Sequence, residues 1–316
     1  MFRIFKSENA INFMALRKLA IVFSLLMIVG SAAIVGISKL NLGLDFTGGT
    51  VIEVGFSQEA DLKQVRSILG ENGFSDAIVQ NFGSPRDVLV RLAPRDDVKP
   101  ETIGSDVLKL LNDKTGQNVE MRRIEFVGPK VGDELTEKGG LAMLAALICI
   151  LIYVSFRFEW RFALGAVVAL IHDVFITIGL FAVLQLEFDL TVLAAILAVI
   201  GYSLNDTIVV SDRIRENFRK LRTGTPAEVI NISLTQTMSR TLITSLTTII
   251  VLLALFFKGG ALIHGFATAL LFGVFIGTYS SVYVASSIAL ALGITKEDLM
   301  PVEVEVEGEE HEDVQL

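Results

Sequence analysis

Long apolar runs separated by short charged turns dominate this chain. Six of them come close to the roughly 20 residues that a helix needs to cross a bilayer. We therefore predict six membrane-spanning helices, over residues 19–37, 139–156, 162–184, 190–210, 230–257 and 262–292. Arg17 and Lys18 precede the first run as in a signal peptide, but its length and the later spans favour an uncleaved helix. The fifth helix is expected to begin before its apolar core, because Thr225, Pro226 and Glu228 have the pattern of a capping box.

Residues 38–138 have a different pattern, with ordinary charge density and turn residues between short apolar stretches. Strict alternation predicts strands there, and three- and four-residue spacing predicts helices. The predicted strands and helices alternate as β-α-β-β-α-β, over residues 48–56, 58–71, 76–82, 86–92, 98–111 and 118–127. This order is typical of the ferredoxin-like split arrangement. The predicted fold class is an all-α six-helix membrane bundle with an inserted α+β ferredoxin-like domain.

The charges of the short turns predict the orientation of the helices. Arg157 and Arg161 flank the turn after the second span, and several Arg and Lys follow the fourth span, whereas residues 185–189 carry acids and no base. Arg and Lys accumulate in cytoplasmic loops. We therefore expect the chain to be a multi-pass protein of the bacterial inner membrane, with its outer domain in the periplasm. The predicted cytoplasmic termini are residues 1–18 and 293–316, and the predicted periplasmic domain is residues 38–138.

Residues 211–225 follow the fourth span and mix charges with an apolar stripe formed by Ile214, Phe218 and Leu221. Such a pattern predicts a short amphipathic helix on the cytoplasmic surface, followed by a turn.

The overall composition agrees with a membrane protein and excludes several functions. The chain is 52% hydrophobic with a mean hydropathy of +0.60, above the roughly 45–50% apolar usage of soluble domains. Its net charge of −8 owes much to an acidic tail, which we expect to be solvated, and gives no support for nucleic-acid binding. The single cysteine, Cys149, excludes an internal disulfide. No P-loop sequence is present, and we expect no cofactor, no metal and no enzymatic activity.

Asp206 is the candidate for chemistry within the membrane. It lies with Asn205 about a turn and a half before the end of the fourth span, where an ionisable group is costly and usually functional. Arg240 belongs to a polar stripe on the fifth helix and is the predicted partner of Asp206. We expect this pair to carry protons, because burial and a nearby guanidinium change a carboxyl's proton affinity in opposite directions. In the alternative, Arg240 reaches the headgroups as an ordinary anchor.

Two further groups of polar residues leave alternatives open. His172 and Asp173, near the middle of the third span, either extend a proton pathway or form a satisfied packing network. Ser203, with His172 and His264, has the residue types of a serine nucleophile, but a Gly-x-Ser tripeptide in a helix is a weak signal.

A stripe of small residues at four-residue spacing in the sixth span predicts close helix packing, inside the chain or against a second subunit. Its members are Gly273, Gly277, Ser281, Ala285 and Ala289.

Several segments together resemble the SecF subunits of the SecD/SecF protein-export family. The signature Asp45-Phe46-Thr47-Gly48-Gly49 follows the first span, and a similar Val-Gly-Pro precedes the second. The segment 201–217 is the most distinctive match, and residues 239–245 complete the set. We expect Gly48 and Gly49 to form a turn with unusual backbone angles rather than to carry chemistry.

The resemblance implies a function and a set of partners. It implies an RND-superfamily-like subunit that pairs with SecD beside the SecYEG channel, YajC and YidC, and promotes export of a preprotein with the proton-motive force. It further implies that Asp206 and Arg240 are proton-pathway positions. Two other readings remain: a proton-driven RND-like exporter of lipids or small hydrophobic molecules, and a passive scaffold of a membrane complex.

Overall fold

The computed structural model describes residues 10–94, 100–221, 223–295 and 298. The first nine residues and nearly all of the predicted acidic tail lie outside the described residues. A 3₁₀ turn, Phe13–Leu16, leads into the first long helix, α1 (Arg17–Ser38). A short linker follows, with strand β1 (Asn41–Leu42) and the single-turn helix α2 (Leu44–Thr47).

A four-stranded antiparallel sheet with two helices comes next, and we refer to residues 49–127 as the α/β domain. Its elements are β2 (Gly49–Phe56), α3 (Leu62–Glu71), β3 (Ile78–Phe82), β4 (Ser84–Leu92), α4 (Pro100–Thr115) and β5 (Val119–Val127). The strand order across the sheet is β3-β4-β2-β5. One face of the sheet packs on α3 and α4 around a separate apolar core that includes Ile52, Leu69 and Val107.

The remaining chain is helical apart from one short strand. Its elements are α5 (Pro129–Arg157), α6 (Trp160–Leu184), β6 (Glu187–Phe188), α7 (Leu190–Lys220), α8 (Pro226–Lys258), α9 (Ala261–Ser280) and α10 (Ser286–Ala291). A π-helical turn, Ser281–Ala285, joins α9 to α10 without a break. Six helices among the described residues are long and apolar enough to cross a membrane. We call the end of this bundle that bears the α/β domain the domain end, and the opposite end the far end.

Two helices extend well beyond their predicted boundaries. Helix α5 begins at Pro129 instead of residue 139, since Pro129 occupies the first helical turn and the polar residues after it continue the helix beyond the apolar run. Helix α7 continues to Lys220, so the separate amphipathic helix predicted over 211–225 is the last part of α7. Its apolar stripe is buried, with Ile214 at 1% and Phe218 at 3% exposure, because it packs in the bundle's core instead of lying on a membrane surface.

The start of α8 agrees with its sequence pattern. Thr225 and Glu228 form the reciprocal capping box, and Pro226 takes the first helical position. The long helix therefore carries Arg240 in its interior and not at its first turn.

Small residues allow the helices to approach closely at the centre of the bundle. A Cβ on Gly273 would lie 2.2 Å from the Val199 side chain, and one on Gly277 would lie 3.1 Å from that of Ser203.

Candidate functional site

Asp206 lies inside the bundle, where α7, α8 and α9 meet. Its side chain is buried, with 7% of the residue exposed. Thr241 Oγ1 of α8 donates a hydrogen bond of 2.6 Å to Asp206 Oδ1, and Ser281 Oγ donates one to Oδ2. Ser281 Oγ also lies 3.1 Å from the Thr278 carbonyl, which is a second acceptor for the same proton. The carboxyl is therefore held by neutral hydroxyl groups from two neighbouring helices.

Arg240 does not form an ion pair with Asp206 among the described residues. It interacts with the carboxyl electrostatically, but its residue is exposed. The direct contact from α8 is made by the next residue, Thr241. Consecutive residues of an α-helix point about 100° apart, and in this structure the Thr241 side chain is the one directed at Asp206. The direct contact between Asp206 and Arg240 that the polar stripe suggested is thus replaced by a hydroxyl contact in this structure.

A second carboxyl, Asp173 of α6, lies fully buried in the same region. Asp173 Oδ2 accepts hydrogen bonds from Ser203 Oγ at 2.5 Å and from Ser280 Oγ at 2.7 Å. Its Oδ1 lies 2.9 Å from His172 Nδ1. His172 is 1% exposed and stacks on Tyr279 with ring centroids 6.0 Å apart, while its Nε2 has no hydrogen-bond partner.

The two buried carboxyls share one helix. The consecutive residues Ser280 and Ser281 reach Asp173 and Asp206 respectively. Ser281 is also the first residue of the π-helical turn, a local distortion that is frequent at functional sites. We call this group the polar cluster; its members are Asp173, Ser203, Asp206, Thr241, Ser280 and Ser281. A change in the hydrogen bonding of either carboxyl would act directly on α9.

Other sequence candidates lie outside this cluster or are arranged differently. Asn205 is exposed, and its side chain makes no hydrogen bond to another described residue. Ser203 bonds Asp173 rather than His172, so the order of groups needed for a serine nucleophile, in which histidine takes the serine proton, is absent. His264 lies near the domain end and stacks on Phe256 at 4.2 Å.

The stripe of small residues in the sixth span packs within the chain. Gly273 and Gly277 face α7, and Ser281 contacts Asp206. The Ala285 carbonyl lies 2.8 Å from the position that a Cβ on Gly165 of α6 would take. These residues therefore serve internal helix packing.

In the described part of the chain, no group of three or more His, Cys, Asp or Glu side chains is arranged to hold a metal ion.

The signature Asp45 to Gly49 forms the tight connection between α1 and the α/β domain. Gly48 and Gly49 have φ values of +64° and +115°, so the unusual backbone angles expected for this turn are present. A Cβ on Gly49 would lie 2.3 Å from the Leu92 carbonyl oxygen. Phe46 stacks near Phe188 with ring centroids 6.0 Å apart. Asp45 Oδ2 accepts a hydrogen bond of 3.0 Å from the backbone N–H of Leu190, the first residue of α7.

Arg91 of β4 is a functional candidate that the sequence did not indicate. Its guanidinium donates to the Leu42 carbonyl and to Thr47 Oγ1, and lies 3.8 Å from Glu187. Burial lowers the pKa of Arg91, and the Glu187 carboxylate offsets part of that effect. Burial likewise raises the pKa of Glu187, against the lowering effect of Arg91. Nothing in a strand pattern marks such a residue, because its contacts come from segments far away in the chain.

Sequence comparisons match two family descriptions. Residues 107–295 match "Protein export membrane protein SecD/SecF, C-terminal", and residues 33–60 match the "SecD/SecF GG Motif". The protein translocase subunit SecF of Vibrio alginolyticus is 62% identical over 314 residues, which are 99% of this chain and 100% of that protein. The SecF of Escherichia coli O157:H7 is 52% identical over 284 residues, 90% of this chain and 88% of that protein.

Solved structures of SecDF resemble the chain over most of its length. The crystal structure of SecDF from Thermus thermophilus has a TM-score of 0.83 and 38% identity, and covers 92% of this chain. A structure of SecDF in a super-membrane-facing form has a TM-score of 0.69 over the same share. The chain spans 39% of the length of either solved chain. On these matches, the chain belongs to the SecD/SecF family of protein export membrane proteins, with the SecF subunits of protein translocases as its relatives.

Proposed function

We propose that the chain is an auxiliary subunit of the Sec preprotein translocase that works with SecD to promote export across the inner membrane. The names of its relatives support this role, and the much longer SecDF chains support SecD as the partner that completes the assembly. SecYEG, YajC, YidC and the translocating preprotein are further partners in the proposal. The exposed apolar faces of α1 and α5 are available for lipid or for SecD.

In this proposal the α/β domain is a ferredoxin-like domain in the periplasm. Its β-α-β-β-α-β order and the sheet order β3-β4-β2-β5 support the assignment. Arg157, Arg161 and Arg213 lie at the far end, which supports a cytoplasmic position for that end and for both termini.

We further propose that the proton-motive force drives the subunit through Asp206. The observation that carries this proposal is a carboxyl buried among three helices and held by hydroxyls, with its nearest guanidinium outside hydrogen-bonding distance. When Asp206 takes up a proton at Oδ2, that oxygen changes from acceptor to donor. The Ser281 hydroxyl must then rotate so that its hydrogen no longer points at Asp206. The Thr278 carbonyl, 3.1 Å from Ser281 Oγ, is positioned to accept that hydrogen bond.

The same logic extends the proposed pathway to the other carboxyl. Asp173 and His172 provide a second protonatable pair, connected to Asp206 through Ser280 and Ser281. Arg240 and Asn205 are exposed on their helices and would border the pathway where SecD covers it. Protonation of Asp206 removes its attraction to Arg240, so that α7 and α8 are free to shift and move the α/β domain.

Inverted membrane vesicles that contain SecD and SecYEG provide the test. Asp206→Asn and Arg240→Met should abolish the part of preprotein translocation that depends on the proton gradient, without loss of expression or SecD binding. Asp212→Asn is the matched control, because Asp212 lies on the same helix, partly exposed and paired with Arg157. Full proton-dependent stimulation in both variants would remove the mechanism.

The competing exporter hypothesis predicts an apolar pocket within the outer domain. A cleft of about 620 Å³ lies between the α/β domain and the bundle, and charged residues such as Glu53, Arg123 and Asp189 contribute to its walls. An exporter would transport lipids or small hydrophobic molecules without SecD, which reconstitution of the chain alone would detect.

A further inference from the structure

The domain end holds a second set of polar contacts, separate from the polar cluster. Arg91 is at its centre. Its side chain is 12% exposed and extends from β4 on the sheet face opposite to α3 and α4. From there it contacts the linker after α1, the signature turn and the connection between α6 and α7. We call this set the joint; its members are Leu42, Asp45, Thr47, Arg91, Glu187 and Leu190.

Asp45 attaches the signature turn directly to α7. The first N–H groups of a helix have no partner within the helix, and a carboxylate there also interacts favourably with the helix dipole. Asp45 Oδ2 accepts from the Leu190 N–H, while Asp189 caps the same helix through the Val192 N–H at 2.8 Å. The first turn of α7 is therefore held partly by a residue from a segment about 145 positions earlier in the chain.

Backbone contacts align the two segments side by side. Asn41 and Leu42 of β1 pair in parallel with Glu187 and Phe188 of β6. The Gly43 N–H donates to the Phe188 carbonyl at 2.7 Å. Phe46 then packs on Phe188, whose side chain belongs to the core of the bundle. The linker and the signature turn that precede the α/β domain thus contact the bundle through backbone and aromatic groups within a few residues.

We propose that Arg91 and Asp45 are positioning residues that fasten the α/β domain to the first turn of α7. The domain and the helix that carries Asp206 then move as one body. This inference rests on the proposed function and assigns the signature its role as a mechanical connection. Helix α7 runs without interruption from the joint to Asp206, over about 24 Å at 1.5 Å per residue. A shift of α7 that follows protonation would reach the domain through the joint.

The first test removes the guanidinium and retains the apolar stem. Arg91→Met eliminates the donors to Leu42 and Thr47 and leaves Glu187 without its cation. We expect proton-dependent translocation to fall by about tenfold, since loss of the hydrogen bonds from a charged, half-buried guanidinium weakens a contact by about that factor. Asp45→Ala should act in the same direction. Arg86→Met is the matched control, because Arg86 is exposed on the same strand and should leave translocation unchanged.

The second test fastens the linker after α1 to the connection between α6 and α7 with a disulfide, in place of the contacts that Arg91 makes to both segments. Asn41 and Glu187 are register partners on adjacent strands, at a spacing of about 4.8 Å that a disulfide spans. Asn41→Cys and Glu187→Cys are introduced with Arg91→Met, and Cys149→Ala removes the only native thiol. We expect oxidation to return translocation to within about twofold of the parent and reduction to abolish that rescue. A purely structural defect in folding would not respond to oxidation after assembly.

The outcomes separate this inference from the proposed function. Loss in Arg91→Met with rescue on oxidation supports the joint. Full translocation in both Arg91→Met and Asp45→Ala overturns it, even when Asp206→Asn abolishes stimulation. The inference is also overturned when the oxidised disulfide blocks translocation in a protein that retains Arg91. Such a block would mean that the segments of the joint have to separate during translocation. Full proton-dependent stimulation in both Asp206→Asn and Arg240→Met removes the proposed proton-driven mechanism instead.

Discussion

Thr241 donates a hydrogen bond of 2.6 Å to Asp206 from the position directly beside Arg240. The buried carboxyl is consequently in contact with a neutral hydroxyl of α8, while the guanidinium of the preceding residue acts on it from a distance. Such an arrangement allows the carboxyl to change charge without breaking a buried ion pair, whose disruption would cost about 3–5 kcal/mol.

Thr241→Val should destabilise the bundle by about 1–3 kcal/mol, because Asp206 Oδ1 would remain buried without a donor. The midpoint of thermal unfolding in detergent measures this effect. Thr244→Val is the matched control, because it removes a threonine hydroxyl about one turn further along α8. That hydroxyl bonds only to carbonyls of its own helix. Thr241→Ser should restore the wild-type midpoint. Equal losses in the two valine variants would contradict a specific contact with Asp206.

Ser281→Ala should reduce proton-dependent translocation more than Ser280→Ala, by about tenfold. Ser281 is the hydroxyl that donates to Asp206 Oδ2, whereas Asp173 Oδ2 keeps Ser203 when Ser280 is removed. A buried acceptor without any donor bears the full cost of desolvation. Translocation into vesicles, with and without a proton gradient, measures the difference. An equal or larger loss in Ser280→Ala would assign the working carboxyl to Asp173.

The sequence predicted the six spans because long apolar runs and helix caps are local signals. It also indicated Asp206, since an acid inside such a run is conspicuous by itself. The choice between Arg240 and Thr241 was not predictable. Both residues belong to a broad polar stripe, and their side chains point about 100° apart on α8. Which of the two faces Asp206 depends on how α8 is rotated about its axis against α7.

The extent of α7 and the role of Arg91 depend on tertiary contacts in the same way. Charges after Val210 suggested that the helix ends near the membrane, but Ile214 and Phe218 find apolar partners in the bundle and the helix continues. Arg91 occupies an ordinary strand position, and its contacts with Leu42 and Glu187 arise only when the chain is folded. Periodicity identifies a buried face, but it does not identify which segment covers it.

Gly49→Ala should destabilise the protein by at least about 2 kcal/mol more than Gly73→Ala. Both glycines have positive φ, so both variants bear the strain of a left-handed residue, about 1 kcal/mol. The new methyl group on Gly49 would meet the Leu92 carbonyl at 2.3 Å, whereas no atom lies within 4 Å of the corresponding position on Gly73. Thermal unfolding of the two variants measures the difference. Equal effects would show that backbone conformation, and not the close approach, requires the glycine.

Glu187 should make stability depend on pH with a defined sign. Burial raises its folded-state pKa from 4.5, by more than Arg91 lowers it. The folded protein therefore holds the proton more tightly than the unfolded chain does. The stability that Glu187 contributes is present below about pH 4.5 and is lost as the pH rises through the folded-state pKa.

Glu187→Gln removes this titration, so its midpoint of thermal unfolding relative to wild type should rise as the pH increases from about 4 to about 7. The attraction between Arg91 and the ionised carboxyl is already part of the net pKa shift, and the neutral glutamine resembles the protonated carboxyl, so the difference between the two curves follows the titration of Glu187. The slope of the difference is therefore the informative quantity. Glu120→Gln removes the same charge from an exposed position on β5 and serves as the control. A Glu187→Gln difference that is flat or falls with pH would contradict a carboxyl whose pKa is raised by burial in the joint.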